Sequence, residues 1–435
     1  MVLNMNKLKF GFADTVITPV HPEYVYIDGY GNRSKPADGV RDDLHAKVCA
    51  VLDNDRVFLI FSLDLIGFRA YTYNLVTTQI QNITGISKEN IALCCIHTHA
   101  APATGLLDGL PIDTDYFAYV GECCAKIAQK AISRATYGSF SFEILPEELL
   151  SCYNRRAGRE VIDRRIRAAA FRDRNGDLRG VICTAACHAV VSTDYKLSAD
   201  WLSMLNRLSS DEIPYMYFQG RGADVDPDGF HNAPIDKFIE KLGGELATPV
   251  KKFAENSSVG EHVTGELKWE YENVRIPMKQ MNDKSFLQYC IKKYLDEYLA
   301  LPPTEHKKHY KLRELEWYRH MLRIAESGES FDITVPMQYL AIGKTAVFAF
   351  VPFELLTLTG NKLEDIFADA GFPRAAIYVC GYSNIVEGYL APREEFEFGG
   401  YEVSGASHWY NTSETVPESE GAVIEWFAKK AEELK

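Results

Sequence analysis

The chain has 435 residues, 46% hydrophobic and 25% charged, with a formal net charge of −13. A globular chain of that length buries most of the surface it would expose unfolded, so it needs no disulfide or metal staple to be stable. The acidic balance repels nucleic-acid phosphates and anionic lipid, so nucleic acid is no natural partner and no stable membrane association is expected. A small-molecule substrate escapes that exclusion, and nothing in the sequence sets an oligomeric state.

Taken in chain order, Phe10 to Ile17 reads as a strand closed by Thr18-Pro19. Ala46 to Leu52 and Val57 to Leu63 read as two strands joined by an Asp53-Asn54-Asp55 turn. Tyr71 to Thr84 has a helical pattern, and the continuous apolar run Ile91 to Ile96 predicts a buried strand. Tyr116 to Arg134 reads as a helix. Ile166 to Phe171 and Leu178 to Thr184 flank the turn signal Asp173-Arg174-Asn175-Gly176-Asp177. Met216 to Gln219 is a brief strand entering a glycine-rich loop, Gly220 to Gly229. Residues 285–326 are charged and helical, interrupted at Pro302-Pro303, and their basic cluster His306-Lys307-Lys308-His309 reads as a solvated face. Strands at Asp332 to Ala341 and Thr345 to Val351 precede a helix from Glu354 to Ala370, a strand at Ala376 to Cys380 and a last helix at Gly421 to Leu434. The fold class is therefore α/β (mixed α+β). One large catalytic domain covers 1–435, with mixed sheets flanked by helices and a helical insertion over 282–328.

Ten cysteines include the adjacent pairs Cys94-Cys95 and Cys123-Cys124. Neighbours in a strand or helix point apart, so these pairs make no disulfide framework, and no matched CxxC pairs offer a thiolate zinc site. They read as buried free thiols, which implies a reducing compartment. The first ten residues hold no apolar stretch of signal-peptide length and no later segment could span a bilayer, so a cytoplasmic location is expected.

Four elements carry chemistry. Ile96-His97-Thr98-His99-Ala100-Ala101-Pro102 runs an apolar strand into two histidines, and residues i and i+2 share one strand face, so both imidazoles can enter one cavity. One can bind metal while the other contacts substrate; a structural role is the equal alternative. His188 follows the apolar strand Val181 to Cys187 and by itself reads as a core histidine as readily as a ligand. Gln219-Gly220-Arg221-Gly222-Ala223-Asp224-Val225-Asp226-Pro227 offers close backbone approach and two aspartates that can act as bases, bind a cation, or simply shape a turn. Glu354, at a strand end, is either a ligand or a helix N-terminal acid.

In this order the motifs resemble the neutral ceramidases, zinc enzymes that cleave the amide of ceramide. Phe10-Gly11-Phe12-Ala13-Asp14-Thr15-Val16-Ile17-Thr18-Pro19, Gly39-Val40-Arg41-Asp42-Asp43-Leu44-His45-Ala46-Lys47 and Phe61-Ser62-Leu63-Asp64-Leu65 are similar to that family's opening blocks. His97-Thr98-His99 with Pro102 is similar to its metal motif, THTHSGP. Cys187-His188 with Ser198-Ala199-Asp200-Trp201 is similar to its second histidine block, and Gln219 to Pro227 to its nucleophile loop, QGNxGDVSP. Pro352-Phe353-Glu354, Gly381-Tyr382-Ser383-Asn384 to Tyr389, Arg393-Glu394-Glu395-Phe396 and Gly400-Tyr401-Glu402 complete the resemblance.

The resemblance implies zinc held by His97, His188, Glu354 and the phenol of Tyr389, with His99, Arg155 and Tyr401 lining the substrate site. Two departures stand out. Asp226 occupies the position of the family's serine, and the chain stops where secreted ceramidases continue, so no C-terminal β-rich domain is expected. Both weigh against ceramide itself as the substrate. The expected reaction is hydrolysis of an amide (C–N) bond in a small soluble substrate by zinc-activated water, whose pKa falls from about 16 to about 7 on binding. Asp226 or Asp224 would be the general base, and His99 and Tyr401 would stabilise the oxyanion. Two variants have Asp226 attack directly, or have Asp224 and Asp226 hold a second divalent cation, Ca2+ or Mg2+. An ester, lactone or sugar-derived bond is the alternative target, with Trp409-Tyr410 as an aromatic face for a sugar ring, and a binding homologue without catalysis is the reading from another class.

Overall fold

The computed structural model describes residues 8–107, 109–146, 150–230, 233–260, 262–302 and 305–435. Its centre is an eight-stranded sheet in the order Tyr215–Gln219, Leu178–Ala185, Arg167–Asp173, Thr136–Ile144, Lys9–Val16, His45–Asp53, Arg56–Leu63, Ile91–Cys95. A second, four-stranded sheet runs Leu267–Ile276, Ile333–Ile342, Ala346–Phe350, Ile377–Cys380. Both are mixed: most pairs are antiparallel, but Tyr215–Gln219 with Leu178–Ala185, Arg56–Leu63 with Ile91–Cys95, and Ala346–Phe350 with Ile377–Cys380 are parallel.

The nearly unbroken apolar runs follow from burial of both sheet faces. In Arg56–Leu63, Phe58 and Ile60 face the second sheet, where they join Leu340, Phe348, Phe350 and Tyr378. Leu59 and Phe61 point the other way, toward Val76, Ile80, Phe117 and Val120 of the helices Ala70–Thr84 and Thr114–Arg134. Thr357–Asp369 and Pro417–Glu433 cover the far face of the small sheet through Leu363, Phe367, Val423 and Phe427. The layers are therefore helix, sheet, sheet, helix. The buried free edge of Tyr215–Gln219 is closed by side chains: Lys47 Nζ donates to Tyr215 O at 2.8 Å and Ser62 Oγ to Tyr217 O at 2.7 Å. Unpaired edge carbonyls would otherwise be buried without partners.

The charged segment forms two helices, Lys284–Ala300 and His306–Ser327. Lys307 is exposed, whereas Lys308 donates to Leu301 O at 2.9 Å and the His309 ring stacks on Trp409. The sequence pattern also passes over three elements that form: Thr136–Ile144, Ile235–Asn256 and Leu267–Ile276. All ten cysteines are buried free thiols. Among the described residues no helix is long and apolar enough to cross a membrane.

One correction bears on the site. The helix expected from Glu354 begins at Thr357; Glu354–Leu355 instead pairs in parallel with Tyr389–Leu390. The stop is chemical: Asp224 Oδ1 accepts Thr357 N at 2.9 Å and Thr357 Oγ1 at 2.8 Å, capping the helix from another loop.

That loop is held by a buried ion network. Arg221 Nη2 lies 2.6 Å from Glu364 Oε2 and its Nε 3.2 Å from Asp163 Oδ2, with Arg165 and Arg167 on the same two acids. Burial alone would raise the Glu364 pKa, but Arg221, Arg167 and Arg165 outweigh it and hold the carboxyl below its ordinary value. Glu364→Ala is therefore expected to cost about 3–5 kcal/mol in a urea titration at pH 7, because it strands buried guanidinium charge. A carboxyl depressed in the folded state stabilises above its unfolded pKa, about 4.3, and loses that contribution as pH falls through the folded value. The gap between wild type and variant should accordingly narrow below pH 4.

Candidate metal centre

Strand Ile91–Cys95 ends two residues before His97, whose φ of 62° lies in the left-handed region. The expected i, i+2 face of a continuing strand is thus replaced by a sharp turn, a strained conformation of the kind that persists where neighbours over-determine it. Those neighbours are visible. Ile96 N and His97 N donate to Leu63 O and Leu65 O, both at 3.0 Å, and His99 N donates to Ala189 O at 3.0 Å. An isolated parallel bridge from Thr98 to Ala189 lays the His97–His99 turn beside His188. Cys95 N donates to Tyr382 O at 3.1 Å and Tyr382 N to Phe353 O at 3.0 Å, so one residue, itself at φ 53°, joins the segments bearing His97 and Glu354.

The tautomers are set by carbonyls, which can only accept. His97 Nδ1 lies 2.7 Å from Ile66 O and His188 Nδ1 2.7 Å from Gly222 O, so each Nδ1 carries the proton and each Nε2 presents a lone pair. Both lone pairs face Glu354 Oε2, at 3.4 Å from His97 Nε2 and 3.4 Å from His188 Nε2. His188 Nε2 is buried with no hydrogen-bond partner. Two lone pairs against a carboxylate oxygen repel one another unless a cation lies between them. His99 Nε2 borders the same point, 3.1 Å from His97 Nε2, and the ligand atoms of His97, His99 and His188 lie within 4.8 Å of one another. Burial pushes the His97 pKa down, against the pull of Glu354; burial and the flanking His97 and His188 push His99 well down. Neutral imidazoles and an ionised carboxylate are the protonation states in which these groups bind metal. The residues fit a divalent ion.

No protein-family model and no curated protein matches the chain, but solved structures do. Over 98% of its length it superposes on 74% of the neutral ceramidase from Pseudomonas aeruginosa, with a TM-score of 0.72 and 18% identity. The chain has the neutral ceramidase fold. A second structure, a ceramidase complexed with C2, matches 98% of this chain and 75% of its own, at TM-score 0.71 and 16% identity. At such identities the likeness establishes the ceramidase fold and leaves the chemistry to be argued from the site itself.

Within that fold Arg155 is the hub beside the histidines. It donates from Nη2 to Tyr389 Oη at 3.1 Å and from Nε to Glu402 Oε1 at 2.8 Å, with Nη1 3.3 Å from Asp226 Oδ1. Desolvation would lower its pKa, but Tyr389, Asp226 and Glu402 outweigh it and hold the guanidinium charged. Arg156, its neighbour, is turned away onto Glu395 and Glu402. Asp226 is partly exposed, 4.0 Å from His188 Nδ1. Tyr401 is 44% exposed, with its ring 5.5 Å from that of Tyr389. It walls an open cleft of 560 Å³ with Arg155, Arg159, Phe398 and the Gly399-Gly400 backbone.

Three sequence expectations change here. Asp224 is buried and spent: Oδ1 caps Thr357 and Oδ2 accepts Asn154 Nδ2 at 2.9 Å. A second cation at Asp224 and Asp226 has no place, because the Arg155 guanidinium already stands against Asp226. Trp409 is no sugar platform either. It is buried against His309 and Tyr310, and a Cβ on Gly31 would meet its ring at 2.5 Å.

Sequence reasoning missed two groups. Tyr382 Oη donates to Glu354 Oε2 at 3.2 Å, and Tyr410 Oη donates to Glu354 Oε1. A buried carboxylate demands such partners, but nothing local in the sequence says which tyrosines supply them.

Proposed function

We propose that the chain is a zinc-dependent hydrolase that cleaves an amide or related C–N bond in a small polar substrate. The observation that carries this reading is the buried convergence of two imidazole lone pairs on one carboxylate oxygen. A nitrogen-rich set with one carboxylate suits zinc better than calcium or magnesium, which prefer all-oxygen shells. His97, His188 and Glu354 would hold the ion, with Tyr389 as the fourth ligand. Bound zinc supplies a Lewis acid and lowers the pKa of water to about 7. The protein's own groups do the rest. Asp226, partly exposed, takes the proton from the attacking water as general base. Arg155 orients the Asp226 carboxylate and the Tyr389 phenol, while His99 and Tyr401 donate to the developing oxyanion. Asp224 acts at one remove, by fixing the helix that follows Glu354.

The proposal of a small polar substrate draws on the arginines and the glutamate in the cleft wall, which stand beside two exposed aromatic rings, Phe398 and Tyr401. A cytoplasmic setting is part of the same reading, supported by the ten free thiols and testable by fractionation. The direct functional test uses protein stripped with a chelator and reloaded with zinc, assayed on short N-acyl amides, esters, lactones and long-chain ceramide. Turnover of a short amide that vanishes on stripping and returns with zinc is expected. Turnover confined to ceramide, or indifferent to stripping, overturns the proposal.

A further inference from the structure

Glu354 is held from two sides. Tyr382 donates to Oε2, the oxygen that faces both imidazoles, and Tyr410 donates to Oε1. The carboxylate is buried, as are both phenols, so no water competes for these bonds. Oε1 is thereby engaged by a donor of its own. We propose that Tyr410 is a positioning residue of the metal centre, which makes Glu354 present a single oxygen and so selects zinc over calcium or magnesium. The inference rests on the metal reading above. Its chemistry is general: zinc accepts one carboxylate oxygen among nitrogens, whereas calcium draws on both oxygens of a carboxylate and on six to eight oxygens in all.

The proposal also gives the second charged helix a task. Tyr410 sits at the end of a one-turn helix, Ser407–Tyr410, closed by Asn411 at φ 53°. Trp317 of His306–Ser327 donates from Nε1 to Thr412 O at 2.6 Å, and His309 and Tyr310 of the same helix hold Trp409, their rings 6.2 and 5.3 Å from the indole. From below, Ser413 Oγ donates to Lys279 O at 2.6 Å. Helix His306–Ser327 therefore clamps the segment whose last side chain orients the carboxylate. Outer partners of a metal ligand typically matter 10- to 100-fold in affinity.

The test is competition between a chelator and full-length protein for zinc, with equilibrium dialysis against calcium in parallel, for wild type, Tyr410→Phe and Trp317→Phe. Tyr410→Phe should weaken zinc binding about 10- to 100-fold and lower the zinc-to-calcium preference at least tenfold. Trp317→Phe, which frees the clamp but spares the phenol, should move both in the same direction and less. A merely structural tyrosine would weaken both ions together and leave their ratio unchanged; that result, or wild-type zinc affinity in Tyr410→Phe, overturns the proposal alone. If Tyr410→Phe fails to fold, an unchanged ratio in Trp317→Phe is the contrary result. Wild-type protein that takes up no zinc overturns the metal reading and this proposal with it.

Discussion

His188→Ala protein is expected to purify without zinc and to lose turnover on the order of 10³-fold or more, measured by elemental analysis and by kcat/KM on the best amide substrate. The magnitude follows from the site's construction. His188 is fully buried, its Nδ1 proton is committed to Gly222 O, and its Nε2 has no partner within the protein, so the ring has one free valence and a metal is what fits it. His97→Ala should behave alike, and the double variant should be little worse than either, because ligands that act as a unit are not additive. Zinc retained at one per chain in His188→Ala would remove this residue from the site.

Asp226→Asn is the second large effect, and it should part from the first. Zinc content should stay at the wild-type level while kcat falls about 10²- to 10⁴-fold, the range of a positioned general base. Asparagine keeps the volume and a contact to Arg155 but cannot take a proton. Asp224→Asn should instead shift the denaturation midpoint, since its carboxylate accepts both the backbone N and the hydroxyl of Thr357. Unchanged kcat in Asp226→Asn would make Asp226 structural. A covalent adduct on Asp226, trapped and seen by mass spectrometry, would make it the nucleophile.

The residues of the centre were legible because each closes an apolar run: His97 after Ile91 to Ile96, His188 after Val181 to Cys187, Glu354 after Thr345 to Val351. The three runs belong to two different sheets, so the pattern marked the residues while the packing of the sheets brings them together. What was illegible lay in long-range contacts. Nothing near Thr357 announces that its helix waits for a cap from Asp224, 133 positions earlier in the chain. The left-handed turn at His97 is imposed by strands around it, whereas the residue type argues against it. Strand Leu267–Ile276 alternates from Leu267 to Glu272 and slips phase at Asn273; at the sheet edge its Glu272 and Glu270 pair with Trp426 and Lys430 of the last helix. Trp409 looked like a ligand platform only because the helical segment that buries it is a hundred residues away.

The central claim is that His97, His188 and Glu354 share one divalent ion. Diffraction data from zinc-loaded crystals, collected on both sides of the zinc absorption edge, test it most directly. An anomalous peak that appears only above the edge, about 2.0–2.2 Å from His97 Nε2, His188 Nε2 and Glu354 Oε2, is the predicted result. A peak elsewhere in the molecule, or none between those three atoms at full loading, would contradict it.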